Sequence, residues 1–198
     1  MKYSAGMVSC LFWLNETLKT IPYYLDKISI SEMKKIVVAQ NLYQVRAEDR
    51  CKRIAGVIYK RLNTLNIDLI EEMKNSDINT ARTIHLISIM KSDLLFFEFM
   101  NLVFKKTLQL GKKNLEVADI KNFFDEKIAQ SEEVANFSTS AIAKLKQTYV
   151  KFLIESEIVE NAKTKKILIP YIDYRIQDLL KKSDCGIYLS TITGIDYE

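Results

Sequence analysis

The sequence predicts a mainly α-helical protein, a helical bundle followed by a C-terminal winged helix-turn-helix-like unit carrying a short β-hairpin. Three observations lead there. Five Gly and two Pro in 198 residues are too few for a protein of many tight turns and suit a helical one. The stretch Asp93–Leu110 reads as a helix that is apolar nearly all round, with Glu98, Asn101, Lys105 and Gln109 confined to one narrow stripe. Such a helix is stable in water only when other helices wrap it. The last third then orders its elements as helix, helix, longer polar-faced helix and hairpin, the order of a winged unit.

Taken in order, residues 5–21 read as a first helix closed by Pro22. Ser29-Ile30-Ser31-Glu32 is a capping box, so a second helix starts near Ile30 and runs toward Leu42. Ala47–Asn66 is amphipathic, with Cys51, Ala55, Ile58, Leu62 and Leu65 forming its buried face. Ser76 or Asn79 can cap a helix through Lys91, and the core helix comes next, ended by Gly111 as a left-handed cap. Then come a helix over Ala118–Gln130, a polar stretch Ser131–Phe137, and a helix from Thr139 to Ser156 capped by Ser138. Ile158–Glu160 and Ile167–Ile169 flank a basic tip and read as the hairpin. Tyr171–Ser183 is a short tail helix, and Cys185–Glu198 is apolar but unpatterned. A soft boundary near Gly111–Asn114 divides an N-terminal bundle (1–112) from the winged region (113–198), or the two pack as one continuous domain.

Charge is distributed unevenly. The chain carries a net +4. From Met33 to Arg61, however, eight Lys and Arg face only Glu48 and Asp49, a local surplus of six. Lys34, Lys35, Arg46, Arg50, Arg53, Lys60 and Arg61 are the candidate phosphate contacts, since each cation on an open face can displace a counterion from a nucleic-acid backbone. The competing reading is a solvated helix face with i,i+4 pairs such as Asp49 with Arg53. A second set lies in the winged unit. Ser140, Lys144, Gln147 and Lys151 form the polar face of its long helix, and Lys163, Lys165 and Lys166 form the hairpin tip. Such a helix lays its polar face in the major groove while the hairpin grips adjacent backbone. An ordinary three-helix subdomain with an exposed hairpin is the alternative.

Catalytic chemistry has little footing. Cys10, Cys51 and Cys185 are far apart, with no CxxC or Cys/His cluster, so a reduced chain is expected rather than a disulfide scaffold or zinc site. His85 sits alone among Ile84, Leu86 and Ile87 and reads as a packed histidine. The carboxylates Glu71-Glu72, Asp93, Glu98 and Asp125-Glu126 have no neighbouring nucleophile, Gly-rich loop or metal-ligand spacing. The expectation is a non-enzyme without cofactor or metal. The apolar run Ala5–Leu14 mimics a signal peptide but is succeeded by Asn15-Glu16 and Lys19 without a small-residue cleavage site, so a cytoplasmic protein without a membrane partner is expected.

A family resemblance agrees with these expectations. Tyr3-Ser4-Ala5-Gly6 with its apolar run, Asn41-Leu42 before the basic helix ending Lys60-Arg61-Leu62, and Phe97-Glu98-Phe99 occur in order. Lys144-Leu145 through Leu153 and Ile167-Leu168-Ile169-Pro170 complete the set. Together they resemble the BrxA family, small proteins of BREX bacteriophage-defence operons. The resemblance implies an all-helical, non-enzymatic cytoplasmic protein, compared with the NusB-like RNA-binding fold and associated with double-stranded DNA. It would act as an accessory to methylation-based self/non-self discrimination, with other BREX proteins as further partners. A protein-interaction scaffold within the defence complex, or an RNA-binding NusB-like module, is the alternative. One departure stands out: a Gly is expected between the long helix and its wing, where this chain has Ser156-Glu157.

Overall fold

A computed structural model describes residues 2–197 and is mainly helical, with no β-strand among them. The chain divides into two compact units. One is Trp13–Ser88, and the other joins the chain up to Phe12 with that from Ile89 onward. The boundary expected near Gly111–Asn114 therefore lies inside the second unit.

The Trp13–Ser88 unit holds α1 (Leu14–Leu25), α2 (Ile30–Ala39), α3 (Glu48–Leu62), α4 (Ile67–Asn75) and most of α5 (Ile78–Ser92). The first helix differs from the sequence expectation at both ends. Trp13 adopts a left-handed conformation (φ 57°), which delays the helix to Leu14. Pro22 then lies inside the helix, which continues to Leu25 with Asp26 N donating to Pro22 O. Proline removes one backbone donor without stopping the chain here. The second helix starts as the capping box requires, with Glu32 N donating to Ser29 Oγ at 3.2 Å. Asp77, rather than Ser76 or Asn79, caps α5 by accepting from Asn79 N and Thr80 N at 2.8 and 3.2 Å. The expected inner face of α3 is buried, packed chiefly against α2 and also against α1. His85 is fully buried.

The second unit is organised on the core helix. Asp93 caps it, accepting from Phe96 N at 2.9 Å. It is regular over α6 (Leu94–Phe99), widens to a π-helix over Met100–Phe104, and is regular again over α7 (Lys105–Gln109). A π turn accommodates one extra residue, which rotates the downstream turns by about 100°. The single polar stripe expected from the sequence is therefore split. Glu98 accepts from Lys127 Nζ at 2.7 Å and from Tyr3 OH, whereas Lys105 and Gln109 both reach Asp196. Leu102 and Leu110 remain exposed, so the wrap around this helix is incomplete. Gly111 caps its end at φ 66° as expected.

Around it lie α8 (Val117–Gln130), the short α9 (Glu132–Ala135) that fills the polar stretch, and α10 (Thr139–Glu155). Ser131 and Ser138 cap the last two of these. The inward positions Ile142, Leu145, Tyr149, Phe152 and Leu153 are all buried. Phe96, Phe99, Phe124 and Phe152 meet there with Tyr149, several at edge-on angles such as Phe96–Tyr149 at 4.9 Å and 63°. α11 (Tyr174–Lys182) and α12 (Gly186–Thr193) complete the unit. The unpatterned tail thus forms a helix, with Leu189 to Ile192 buried.

The hairpin is the main correction. Residues 158–168 double back but make only isolated antiparallel bridges, Val159 to Ile167 and Asn114 to Lys166. Glu157 and Lys165 are left-handed (φ 58° and 48°), and the Asn161 side chain closes the tip by accepting from Lys163 N and Thr164 N. Turn geometry so dense leaves no run of extended residues long enough to pair as a ladder. The winged helix-turn-helix description thereby loses its β element.

None of the three cysteines is in a disulfide. Cys10 is half-buried, whereas Cys51 and Cys185 are buried. Burial pushes the Cys185 thiol above its ordinary value, only partly opposed by the Lys91 ammonium. A thiol reagent at pH 8 should therefore label Cys10 first, with Cys51 and Cys185 reacting only on unfolding. Peptide mapping of a labelling time course tests this, and rapid native labelling of Cys185 would contradict the packing of α12.

Candidate nucleic-acid interface

In the Trp13–Ser88 unit the cations are placed by α2, α3 and the turn between them. Apolar Met33 and Val37 face inward on α2, which turns Lys34 and Lys35 outward. On α3, burial of Cys51, Ile54, Ala55 and Ile58 leaves Arg50, Arg53 and Lys60 exposed, and Arg46 is exposed just before the helix. Lys34 crosses to α3, its Cε lying 4.0 Å from where a Cβ on Gly56 would stand. Arg53 and Lys60 flank Gly56 by one turn on either side, so Lys34, Arg53 and Lys60 form one continuous basic strip. Among the described residues none of these six makes an ion pair. Glu48 and Asp49 are instead taken up by Lys52, at 3.2 and 3.9 Å. The Asp49–Arg53 pair that sequence spacing allows is not formed.

Arg61 departs from expectation. It is only 2% exposed, with its guanidinium 5.7 Å from the centre of the Trp13 ring. Helical spacing places it beside Lys60, but the left-handed turn at Trp13 brings an indole over it, and it is a packing residue rather than a surface cation.

In the second unit Ser140, Lys144, Gln147 and Lys151 are all exposed along α10, as the polar-face reading requires. Ser140 Oγ lies 3.0 Å from Ser138 Oγ, and Lys151 Nζ lies 3.7 Å from Glu155. Lys163 and Lys166 are exposed at the turn, while Lys165 is half-buried. Gln147, Lys151 and Lys165 come together on the rim of an open groove of about 670 Å³. Its floor is apolar, built from Val117, Ile120, Val150, Ile154 and Ala162, and Lys121 and Lys146 complete the rim. Those two lysines and the groove escaped sequence reasoning, because α8 and the 158–168 turn must pack beside α10 before the groove exists. Their one sequence signal is Lys121 standing one turn beyond exposed Val117.

No group of three or more His, Cys, Asp or Glu among the described residues could hold a metal ion. No helix of the described residues is long and apolar enough to cross a membrane. What fold and site define is a mainly helical protein with an unpaired basic strip on one unit and a lysine-rimmed apolar groove on the other.

The comparisons with known proteins give this class a family. The BrxA family model matches residues 1–184. The BREX protein BrxA of Bacillus cereus (strain H3081.97) is 38% identical over 164 residues, covering 82% of each chain. The chain belongs to the BrxA family. A crystal structure of an uncharacterized protein from Magnetospirillum magneticum shares the fold at a TM-score of 0.83, with 15% identity, 98% of this chain and 100% of that one covered.

Proposed function

We propose that this chain is a non-enzymatic, double-stranded DNA-binding accessory of a BREX bacteriophage-defence system, acting on duplex DNA from the cytoplasm. The observation that carries the reading is the set Lys34, Lys35, Arg46, Arg50, Arg53 and Lys60, six exposed cations in one unit that make no ion pair among the described residues. Unpaired cations at the surface gain most from a polyanion, because each phosphate met releases a condensed counterion. Contacts of this kind fix position on the backbone and read little sequence. Exposed Lys144 on α10, and Lys163 and Lys166 on the 158–168 turn, are suited to further phosphate contacts in the other unit, with no β wing among the elements that present them. BREX membership rests on the family and on the name of the Bacillus cereus relative.

The test is a binding titration of the purified chain against duplex DNA, duplex RNA and single-stranded DNA over a salt series. Engagement of roughly five phosphates gives a log–log slope near −4 or −5 on duplex DNA. Weak dependence on DNA sequence is expected alongside it. Absence of binding at about 50 mM salt, where the counterion contribution is strong, would sink the proposal. Tighter binding to duplex RNA would redirect it to an RNA reader.

A further inference from the structure

We propose that the groove between α8 and α10 seats an acidic amphipathic helix of a protein partner. The floor supplies the apolar half of such a contact. Val117 is 67% exposed, Val150 and Ile154 are half-buried, and Ile120 lies at the base. The rim supplies the charge. Lys121, Lys146, Lys151 and Lys165 stand around the floor, and among the described residues no carboxylate lines the groove. Lys121 and Lys165 make no ion pair among the described residues. Lys146 leans over the Phe124 ring at 5.5 Å, and Lys151 alone has a nearby acid, Glu155 at 3.7 Å.

The shape selects a helix. Two helices, α8 of 14 and α10 of 17 residues, form the walls, and a third helix laid between them buries an i, i+3, i+4 apolar stripe against the floor. Its flanking positions then face the rim, where Glu or Asp meets lysine. A duplex suits this surface poorly, because phosphates gain nothing from an apolar floor and base edges require polar partners. A fatty acid would present one carboxylate to four spaced lysines. The proposal is independent of DNA binding through the cations of α2 and α3, which lie in the other unit.

The experiment is selection from a displayed library of helix-forming peptides about 15 residues long, enough to run along α10. The targets are the full chain, Val150→Asp on the floor, and Lys121→Glu/Lys165→Glu on the rim. Circular dichroism and thermal melts check that each variant is folded. The rim variant, at exposed Lys121 and half-buried Lys165, leaves the apolar floor intact and keeps the test sound if Val150→Asp unfolds. Enriched sequences should carry a Leu/Ile/Phe stripe flanked by Glu and Asp, and should lose at least tenfold in affinity on the rim variant. Lysine-for-glutamate versions of the same peptides should recover binding to that variant. No enrichment, enrichment of basic or unpatterned sequences, or equal affinity for wild type and rim variant overturns the proposal. A dansylated long-chain fatty acid that binds wild type but not a folded Val150→Asp protein would assign the groove to acyl chains instead. Duplex DNA that displaces the peptides and weakens on the same floor substitution would assign it to nucleic acid.

Discussion

Replacing Lys34, Arg50, Arg53 and Lys60 together by alanine should lower duplex DNA affinity about 10²- to 10³-fold near physiological salt, and flatten the log–log salt slope by about 3 to 4. All four are exposed and form no ion pair among the described residues, so their loss should leave the melting temperature almost unchanged. Arg61→Ala is the internal contrast. With its guanidinium buried over Trp13, this arginine contributes packing, and its truncation should cost about 2 kcal/mol of stability while leaving the salt slope alone. Titrations at three or more salt concentrations separate the two effects. A quadruple variant with the parental slope would remove α2 and α3 from the interface.

The second large effect concerns the ion pair under Tyr3. Lys127 and Glu98 meet at 2.7 Å with side chains only 11% and 23% exposed, and Tyr3 OH donates to the same carboxylate at 2.8 Å. Lys127→Met leaves that carboxylate with the phenol alone, at a cost of about 2–4 kcal/mol. The pair also has a pH signature. Burial pulls the Lys127 ammonium down, but the Glu98 carboxylate and Tyr3 outweigh it and hold its pKa above the ordinary value. Burial, and then Glu98, raises Tyr3 as well. Groups with raised folded pKa values bind protons more tightly when folded, so their stabilisation is complete below about pH 10 and fades as pH climbs through the folded values. In the other unit Tyr43, pushed up to about 12 by burial, extends the same alkaline loss. Urea unfolding at pH 7 and above pH 10 should find the gap between wild type and Lys127→Met narrowing at high pH. An equal gap at both would mean that the pair does not couple to protons.

Much of the helical frame was legible from local chemistry. Ser29, Ser138 and Gly111 mark helix ends whose partners lie within a few residues, and the inner faces of α3 and α10 reflect a period that each helix imposes on itself. Failures began where a distant residue decides the outcome. Periodicity places Arg61 beside Lys60 but is blind to the indole that covers it. Pro22 reads as a stop because the sequence does not reveal that the helix around it survives one missing donor. The hairpin pattern of Ile158–Glu160 and Ile167–Ile169 met two left-handed residues that no apolar alternation reports. The basic strip was visible in sequence because α2 and α3 are neighbours in the chain, whereas the groove needed α8, α10 and a turn brought together by tertiary packing.

The wide turn at Met100–Phe104 has a mechanical consequence. Glu98 and Lys105 are seven residues apart, a spacing that in an unbroken α-helix stacks them on one side. The slipped register aims them in directions roughly 100° apart, one gripping Lys127 and the other Asp196. Two grips on a single side would let the rod roll like an axle in a cradle. Two grips at an angle key it against rotation, so the core helix is fixed in azimuth by its few charged side chains.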